Sequence, residues 1–353
     1  MSFIKIAVLP GDGIGPEVVA QAVKVLNAVA ARHKFVVQLE EALIGAVAID
    51  KTGNPLPPET IDLCKNSDAV LLGAVGHPRY DNDPSAKVRP EQGLLGIRKA
   101  LGLFANIRPV VTYPLLYKAS PLRENLLRNV DFVIYRELTG GIYFGSKGRT
   151  NNGEEAYDHC VYSRQEIIRI AQMAFENARK RRKHLTLVDK ANVLETSRLW
   201  RETVRNMASD YPDVQVDYMF VDAASMKIIQ NPSFFDVVLT ENMFGDILTD
   251  EASVITGSIG MLPSASLGES KGLFEPIHGS WPEGAGKNIA NPYGTILSVA
   301  MMMDYLGFSE AASDIRKSVS VALENRIVTG DIDQYHARST EEIGDYIANS
   351  IGK

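Results

Sequence analysis

Residues 10–17 read Pro10-Gly11-Asp12-Gly13-Ile14-Gly15-Pro16-Glu17, just after an apolar run at 4–9 and at the start of a helical pattern at 15–32. Strand, glycine turn and helix in this order suggest a Rossmann dinucleotide unit, and Glu40 stands at a later strand end, as the acidic residue of such a unit would. The spacing breaks that reading. In Gly-x-Gly-x-x-Gly the third glycine would fall at residue 16, which is proline. Proline suits the first turn of a helix, because its φ is preset and its missing N–H has no partner to lose. The stretch is therefore a tight strand-to-helix turn, compatible with a cofactor site of another build, and the fold is expected not to be a Rossmann fold.

Outward from that turn, short β-type runs (4–9, 35–40, 69–72, 132–136, 185–188, 214–221 and 237–240) alternate with helical patterns (15–32, 92–100, 164–182, 194–211, 244–256, 292–306 and 309–325). Such alternation predicts an α/β protein with a partly parallel sheet. Two stretches rich in Gly, Pro and Ser, 73–90 and 257–294, read as ligand loops. A third, 139–162, with five glycines among aromatics, reads as a hairpin arm of the kind that crosses to a partner subunit.

The chain has 353 residues, enough for two domains. Its formal charge of −6 argues against a nucleic-acid partner. Two cysteines make no disulfide framework, and no apolar run reaches the length of a membrane span, so the expected compartment is the cytoplasm.

Chemistry-bearing residues fall in a few segments. Glu91, Leu94, Leu95 and Arg98 are spaced i, i+3, i+4, i+7 and share a helix face. Leucines there serve core packing equally well, but a flanking Glu and Arg also suit a ligand with an apolar branch and a carboxylate. Arg108 and Arg136 could join Arg98 on a dianion through forked hydrogen bonds. Asp246 and Asp250 are i, i+4 neighbours, a repulsive pair unless a cation lies between them, and Asp222 follows a β-type run. Carboxylates without nearby Cys or His favour Mg²⁺ or Mn²⁺, although a solvated acidic face has the same spacing. Lys190 and Tyr143 are candidate base and acid. The basic run 179–183 reads as a helix end. Residues 272–292, Gly-Leu-Phe-Glu-Pro-Ile-His-Gly-Ser-Trp-Pro-Glu-Gly-Ala-Gly-Lys-Asn-Ile-Ala-Asn-Pro, mix glycines with polar handles before a helix, and Glu283 could accept from a ribose 2′-hydroxyl, favouring NAD over NADP.

From residues 11–17 to Thr329-Gly330-Asp331 these segments together resemble the isocitrate/isopropylmalate (β-decarboxylating) dehydrogenase family. Arg89-Pro-Glu-Gln-Gly-Leu-Leu95 looks like its isopropylmalate branch, because Gln92 and Leu94 stand where isocitrate-type members keep a Ser and an Asn. The resemblance implies a two-domain fold with a large mixed sheet flanked by helices. Residues 1–103 with 257–353 would form the cofactor domain, and 104–256 the substrate, metal and dimerisation domain. It implies an NAD-dependent oxidative decarboxylation of a small branched 2-hydroxy dicarboxylate. Arg98, Arg108 and Arg136 would bind the carboxylates, with Glu91, Leu94, Leu95, Asn192 and Val193 around the rest of the substrate. Asp222, Asp246 and Asp250 would hold Mg²⁺ or Mn²⁺, Asp222 also touching substrate, and Lys190 and Tyr143 would be base and acid. Glu275, His278, Gly279, Ser280, Glu283, Asn291 and Asp331 would bind NAD. The family is a homodimer in which Lys190, Asn192 and Asp222 cross the interface. Trp281 departs from the small residue usual at its position, and Glu283 from the frequent Asp. Tartrate or D-malate decarboxylation is an alternative within the family. A non-catalytic regulatory subunit of NAD-isocitrate dehydrogenase is one of another class, disfavoured because the aspartates, Lys190 and Tyr143 are all present.

Overall fold

A computed structural model describes residues 3–81 and 87–352; residues 82–86, within the stretch expected as a ligand loop, lie outside the described residues. Among the described residues the strands are β1 (Phe3–Gly11), β2 (Val36–Glu41), β3 (Ala69–Ala74), β4 (Ala105–Val111), β5 (Asp131–Glu137), β6 (Lys147–Thr150), β7 (Glu155–Asp158), β8 (His184–Asp189), β9 (Gln215–Phe220), β10 (Val237–Thr240), β11 (Pro263–Leu267) and β12 (Gly272–Pro276). The chain divides into two compact units, Met1–Leu103 with Gly257–Lys353, and Phe104–Thr256.

In the first unit the strand order is β2-β1-β3-β12-β11, parallel except for the β11–β12 pair. β3 is buried along its whole length, as a strand covered on both faces must be. The glycine turn after β1 is shaped by close backbone approach. A Cβ on Gly11 would lie 2.0 Å from the Ala74 carbonyl oxygen, and one on Gly13, whose φ is +57°, 2.0 Å from that of Ser280. Both glycines are thus required for close packing of the turn against neighbouring backbone, in keeping with a tight strand-to-helix turn. Buried Asp12 accepts from the backbone N–H groups of Ala46, Val47 and Gly76 at 2.8–2.9 Å, tying two segments to the turn. One core joins Leu9, Ile44, Leu63, Leu72, Ile97 and Leu273.

The stretch 257–294 is not the continuous loop expected from its composition. It contains β11 and β12, paired antiparallel from Pro263 opposite Pro276 to Leu267 opposite Gly272. Both prolines stand at strand ends, where a missing donor costs no central ladder bond.

In the second unit the order is β4-β5-β10-β8-β9, parallel except for β4–β5. β10 is fully buried, and its neighbours contribute Phe132, Ile134 and Val188 to a core closed by Phe235, Leu248 and Ile255. The segment 139–162 contains the antiparallel hairpin β6–β7. In the basic run 179–183, Arg181 reaches Asp131 and Asp236, and Arg179 reaches Asp213.

Candidate functional site

In the second unit, the helix Asn242–Ser253 starts where β10 ends and carries Asp246 and Asp250 one turn apart. Arg136, near the end of β5, lies along this helix because Gly245 leaves room; a Cβ there would be 2.5–3.1 Å from the arginine's Cγ, Cβ and Cδ. Its Nη1 donates to Asp246 Oδ1 at 2.5 Å, while Nε and Nη2 donate to Asn242 Oδ1 at 3.1 and 2.9 Å. Arg108 on β4 donates from Nη1 to Asp250 Oδ1 and Thr249 Oγ1, both at 3.0 Å, and from Nε to Asn106 Oδ1 at 2.9 Å. The Tyr143 hydroxyl donates to Asp246 Oδ2 at 2.8 Å. Burial, then that hydrogen bond and the Asp246 charge, push its pKa up, against Arg136, which lowers it. The phenol is thus held protonated, the state an acid needs.

The structure therefore brings together Arg108, Arg136, Tyr143, Asp246 and Asp250. Lys190 and Asp222 form a separate pair, Nζ to Oδ1 at 2.9 Å, and this hydrogen bond is the main cause of Asp222's lowered pKa. Lys190 lies just past β8, where Ser197 Oγ accepts from its backbone N–H and Arg201 clamps the preceding Asp189 with bonds of 2.8 and 2.7 Å. Asn192 and Val193 are exposed. Among the described residues no three His, Cys, Asp or Glu side chains gather into one metal-holding group.

In the first unit, the helix Glu91–Ala100 turns Gly93 and Ile97 into the core. Leu94 is half-buried against that core and Leu95 is 55% exposed, so the two leucines expected on one face have different surroundings. Arg98 Nη2 meets Glu275 Oε1 at 2.7 Å; its carboxylate partner is a residue expected to bind NAD. Glu91 Oε1 and Ser280 Oγ flank Gly76, at 3.2 and 3.6 Å from where its Cβ would be. Asp331 accepts from Ser258 Oγ at 2.5 Å and Asn291 Nδ2 at 3.0 Å. Gly279 and Glu283 are exposed.

His278 has an unmet need. Its Nδ1 lies 2.9 Å from the Gly279 carbonyl oxygen, which can only accept, so Nδ1 carries the proton. Burial pushes its pKa down, leaving the ring neutral. Nε2 is then an acceptor, and it is buried with no partner among the described residues. A ligand hydroxyl or amine would satisfy it.

Asn242, Gly245, Asn106 and Thr249 support the arginines but are missing from the sequence candidates. Asn242 was within reach of sequence reasoning: it precedes Asp246 by one helical turn, in the same motif.

Residues 5–347 match the sequence profile described as Isocitrate/isopropylmalate dehydrogenase. The chain belongs to the isocitrate/isopropylmalate dehydrogenase family. Among relatives in this family, a Bacteroides fragilis protein named 3-isopropylmalate dehydrogenase is 57% identical over 351 residues, covering 99% of each chain. Another of that name from Heyndrickxia coagulans is 53% identical over 354 residues, covering 99% of this chain and 96% of its own. Among solved family structures, isocitrate dehydrogenase from Methylococcus capsulatus superposes with a TM-score of 0.86 at 35% identity, with full coverage of both chains. A β-decarboxylating dehydrogenase from Thermococcus kodakarensis gives 0.83 at 38%, covering 99% and 96%.

Proposed function

We propose that this family member carries out the NAD-dependent oxidative decarboxylation of (2R,3S)-3-isopropylmalate to 2-oxo-4-methylpentanoate and CO₂, a step of leucine synthesis. The observation that carries the reading is the 57% identity, across 99% of both chains, with a protein named for that activity. The exposed Leu95 supports it, as an apolar side chain available to a branched substrate.

The residues fit the two cofactors the family implies. Asp246 and Asp250, with the partner subunit's Asp222, offer only carboxylate oxygens, which suits Mg²⁺ or Mn²⁺. His278 Nε2, without a partner among the described residues, together with Glu275, Gly279, Ser280, Glu283, Asn291 and Asp331, suits the hydroxyls and amines of NAD. The chemistry these groups supply when bound is acceptance of hydride from C2 and polarisation of the C2 oxygen.

The protein's own residues do the rest. Arg98, Arg108 and Arg136 hold the two substrate carboxylates; the bonds of Arg108 to Asn106 and Thr249, and of Arg136 to Asn242, restrict their rotamers before substrate arrives. The partner subunit's Lys190 takes the hydroxyl proton during oxidation, after giving up its contact with the partner's Asp222. The resulting ketone is β to the C3 carboxylate, so the C3–carboxylate bond breaks, CO₂ leaves, and the electron pair stays as an enolate. Tyr143 protonates C3 of that enolate.

A homodimer is part of the proposal. Exposed apolar side chains flanking the hairpin, Phe144 and Val161, and Val193 next to Asn192, support burial against a second copy. The division of the chain supports assigning NAD to the first unit and metal, substrate and dimer contacts to the second.

The test is NADH formation from 3-isopropylmalate with and without Mg²⁺, beside isocitrate and D-malate. Metal-dependent turnover of isopropylmalate alone is expected. Turnover of D-malate or isocitrate instead would overturn the substrate while keeping the family.

A further inference from the structure

The loop carrying His278 also displays a side chain that the proposed chemistry leaves unused. Trp281 is 47% exposed, whereas the chain's other tryptophan, Trp200, is 1% exposed. Its backbone is left-handed, with φ 36° and ψ 67°. Residues with a Cβ avoid that region, and bulky ones especially; strain of this kind collects at ligand sites. The indole is seated on Gly284: a Cβ there would lie 2.5 Å from Cε3, 2.7 Å from Cδ2 and 2.8 Å from Cζ3. On the chain side, the preceding Ser280 carbonyl accepts from the Ile14 N–H at 2.8 Å. The ring is thus supported from behind, on an anchored backbone, with much of its surface left to solvent.

We propose that Trp281 is a stacking platform for the purine ring of the dinucleotide, and so a specificity-determining residue for the adenine half of the cofactor. The inference rests on the NAD reading above. A neutral bicyclic base presents a flat π-face of about the size of indole, and base–aromatic stacking needs no hydrogen-bond code. Tryptophan loses only two side-chain torsions on becoming a contact, and here Gly284 has already restricted them. Adenine is favoured over nicotinamide because exposed Glu283, two residues on, offers the acceptor that an adenosine ribose 2′-hydroxyl needs.

The two tryptophans make the test direct. ADP-ribose, AMP and nicotinamide mononucleotide are titrated into the parent, Trp281→Ala, Trp281→Phe and Gly284→Ala, following intrinsic fluorescence and, independently, heat of binding. ADP-ribose and AMP are expected to quench the parent and leave the emission of Trp281→Ala, which comes from buried Trp200, unchanged. Trp281→Ala should bind ADP-ribose roughly 5- to 150-fold more weakly, the range of one base stack. Trp281→Phe should recover most of the loss, Gly284→Ala should weaken binding with the ring still present, and mononucleotide affinity should not move. ADP-ribose binding as tight in Trp281→Ala as in the parent would overturn the platform, and so would an equal loss for the mononucleotide. A parent that binds neither ADP-ribose nor NAD would instead bring down the NAD reading itself.

Discussion

Asn242→Ala tests whether the proposed carboxylate-binding arginine is held in place before substrate arrives. Asn242 is 1% exposed. Its Oδ1 accepts two bonds from Arg136, at 3.1 and 2.9 Å, and its Nδ2 donates to the Gly140 carbonyl at 3.2 Å. Truncation removes the acceptor of two bonds from a buried guanidinium and the donor of one bond to a carbonyl. Hydrogen bonds to charged groups contribute about 1.5–3 kcal/mol each, and an unsatisfied buried group costs about 1–3 kcal/mol. The three bonds share one side chain and do not add in full, so the expected loss is roughly 3–5 kcal/mol. That corresponds to a fall in melting temperature of about 10 °C. Asn242→Asp keeps an acceptor for Arg136 and gives up the Gly140 bond, so it should cost about half as much. Thermal unfolding of the three proteins reads the first effect; the second is a rise of about tenfold or more in KM for 3-isopropylmalate in Asn242→Ala, with Asn242→Asp in between. An alanine variant that melts with the parent and keeps its KM would show that the Gly245 notch and Asp246 hold Arg136 unaided, and the reasoning would fail.

Other predictions follow from the same geometry. Lys190→Met should abolish NADH formation, while Tyr143→Phe should slow conversion of the added 2-keto acid to 2-oxo-4-methylpentanoate by about 10²- to 10⁴-fold, at protonation of the enolate; normal turnover of that acid by Tyr143→Phe would remove its role. Leu95→Ser should cut kcat/KM for isopropylmalate by about 10- to 200-fold and leave D-malate nearly unchanged, and a parallel fall on both substrates would refute the apolar contact. Burial, reinforced by the charges of Asp189 and Glu137, raises the Glu241 carboxyl pKa to about 7. The native state then binds a proton the unfolded chain has released, so this group makes stability fall as pH rises from about 4.5 to about 7, by up to about 3 kcal/mol. Glu241→Gln should flatten that fall in urea titrations across the window, and an unchanged slope would reject the assignment.

The sequence and the structure agree where one principle dominates locally. β10 was legible as Val237-Val-Leu-Thr240 because a central strand of a parallel sheet is apolar on both faces. The helix Gly15–His33 was legible from its periodic apolar face and Pro16 at its start. β4 escaped because Pro109 and Arg108 sit inside it, and both argue against a strand unless one knows which neighbour needs the missing donor. β11, Pro-Ser-Ala-Ser-Leu, is built of small residues that fit only because their surroundings are already crowded; all five positions are buried. The helix Thr340–Ser350 was missed despite a readable signature, the capping box of Ser339 and Glu342. In the candidate site, the charged residues could be singled out by type and spacing. Of the groups that aim them, Asn242 could have been, from its place one turn before Asp246; Asn106, Thr249 and Gly245 could not, because their role appears only once β4, β5 and the helix Asn242–Ser253 are adjacent.

That division has a physical cause. A group meant to act on a ligand must keep part of its bonding capacity for it, and a charged side chain left so is conspicuous in any sequence. The groups that hold it can be neutral and engaged elsewhere in the protein, as Asn242 is with Arg136 and Gly140. The arrangement also explains how like charges are tolerated here. Asp246 and Asp250, one helical turn apart, repel, yet each accepts from a different arginine, at 2.5 and 3.0 Å. The proposed cation and a dianionic substrate would arrive together as a nearly neutral pair. The aspartates could then turn to the cation while the arginines turn to the carboxylates, so that charge is exchanged at each residue and never left uncompensated. On this reasoning metal and substrate should bind with positive coupling. Isothermal titration should find each tighter in the presence of the other, and independent affinities would refute the exchange.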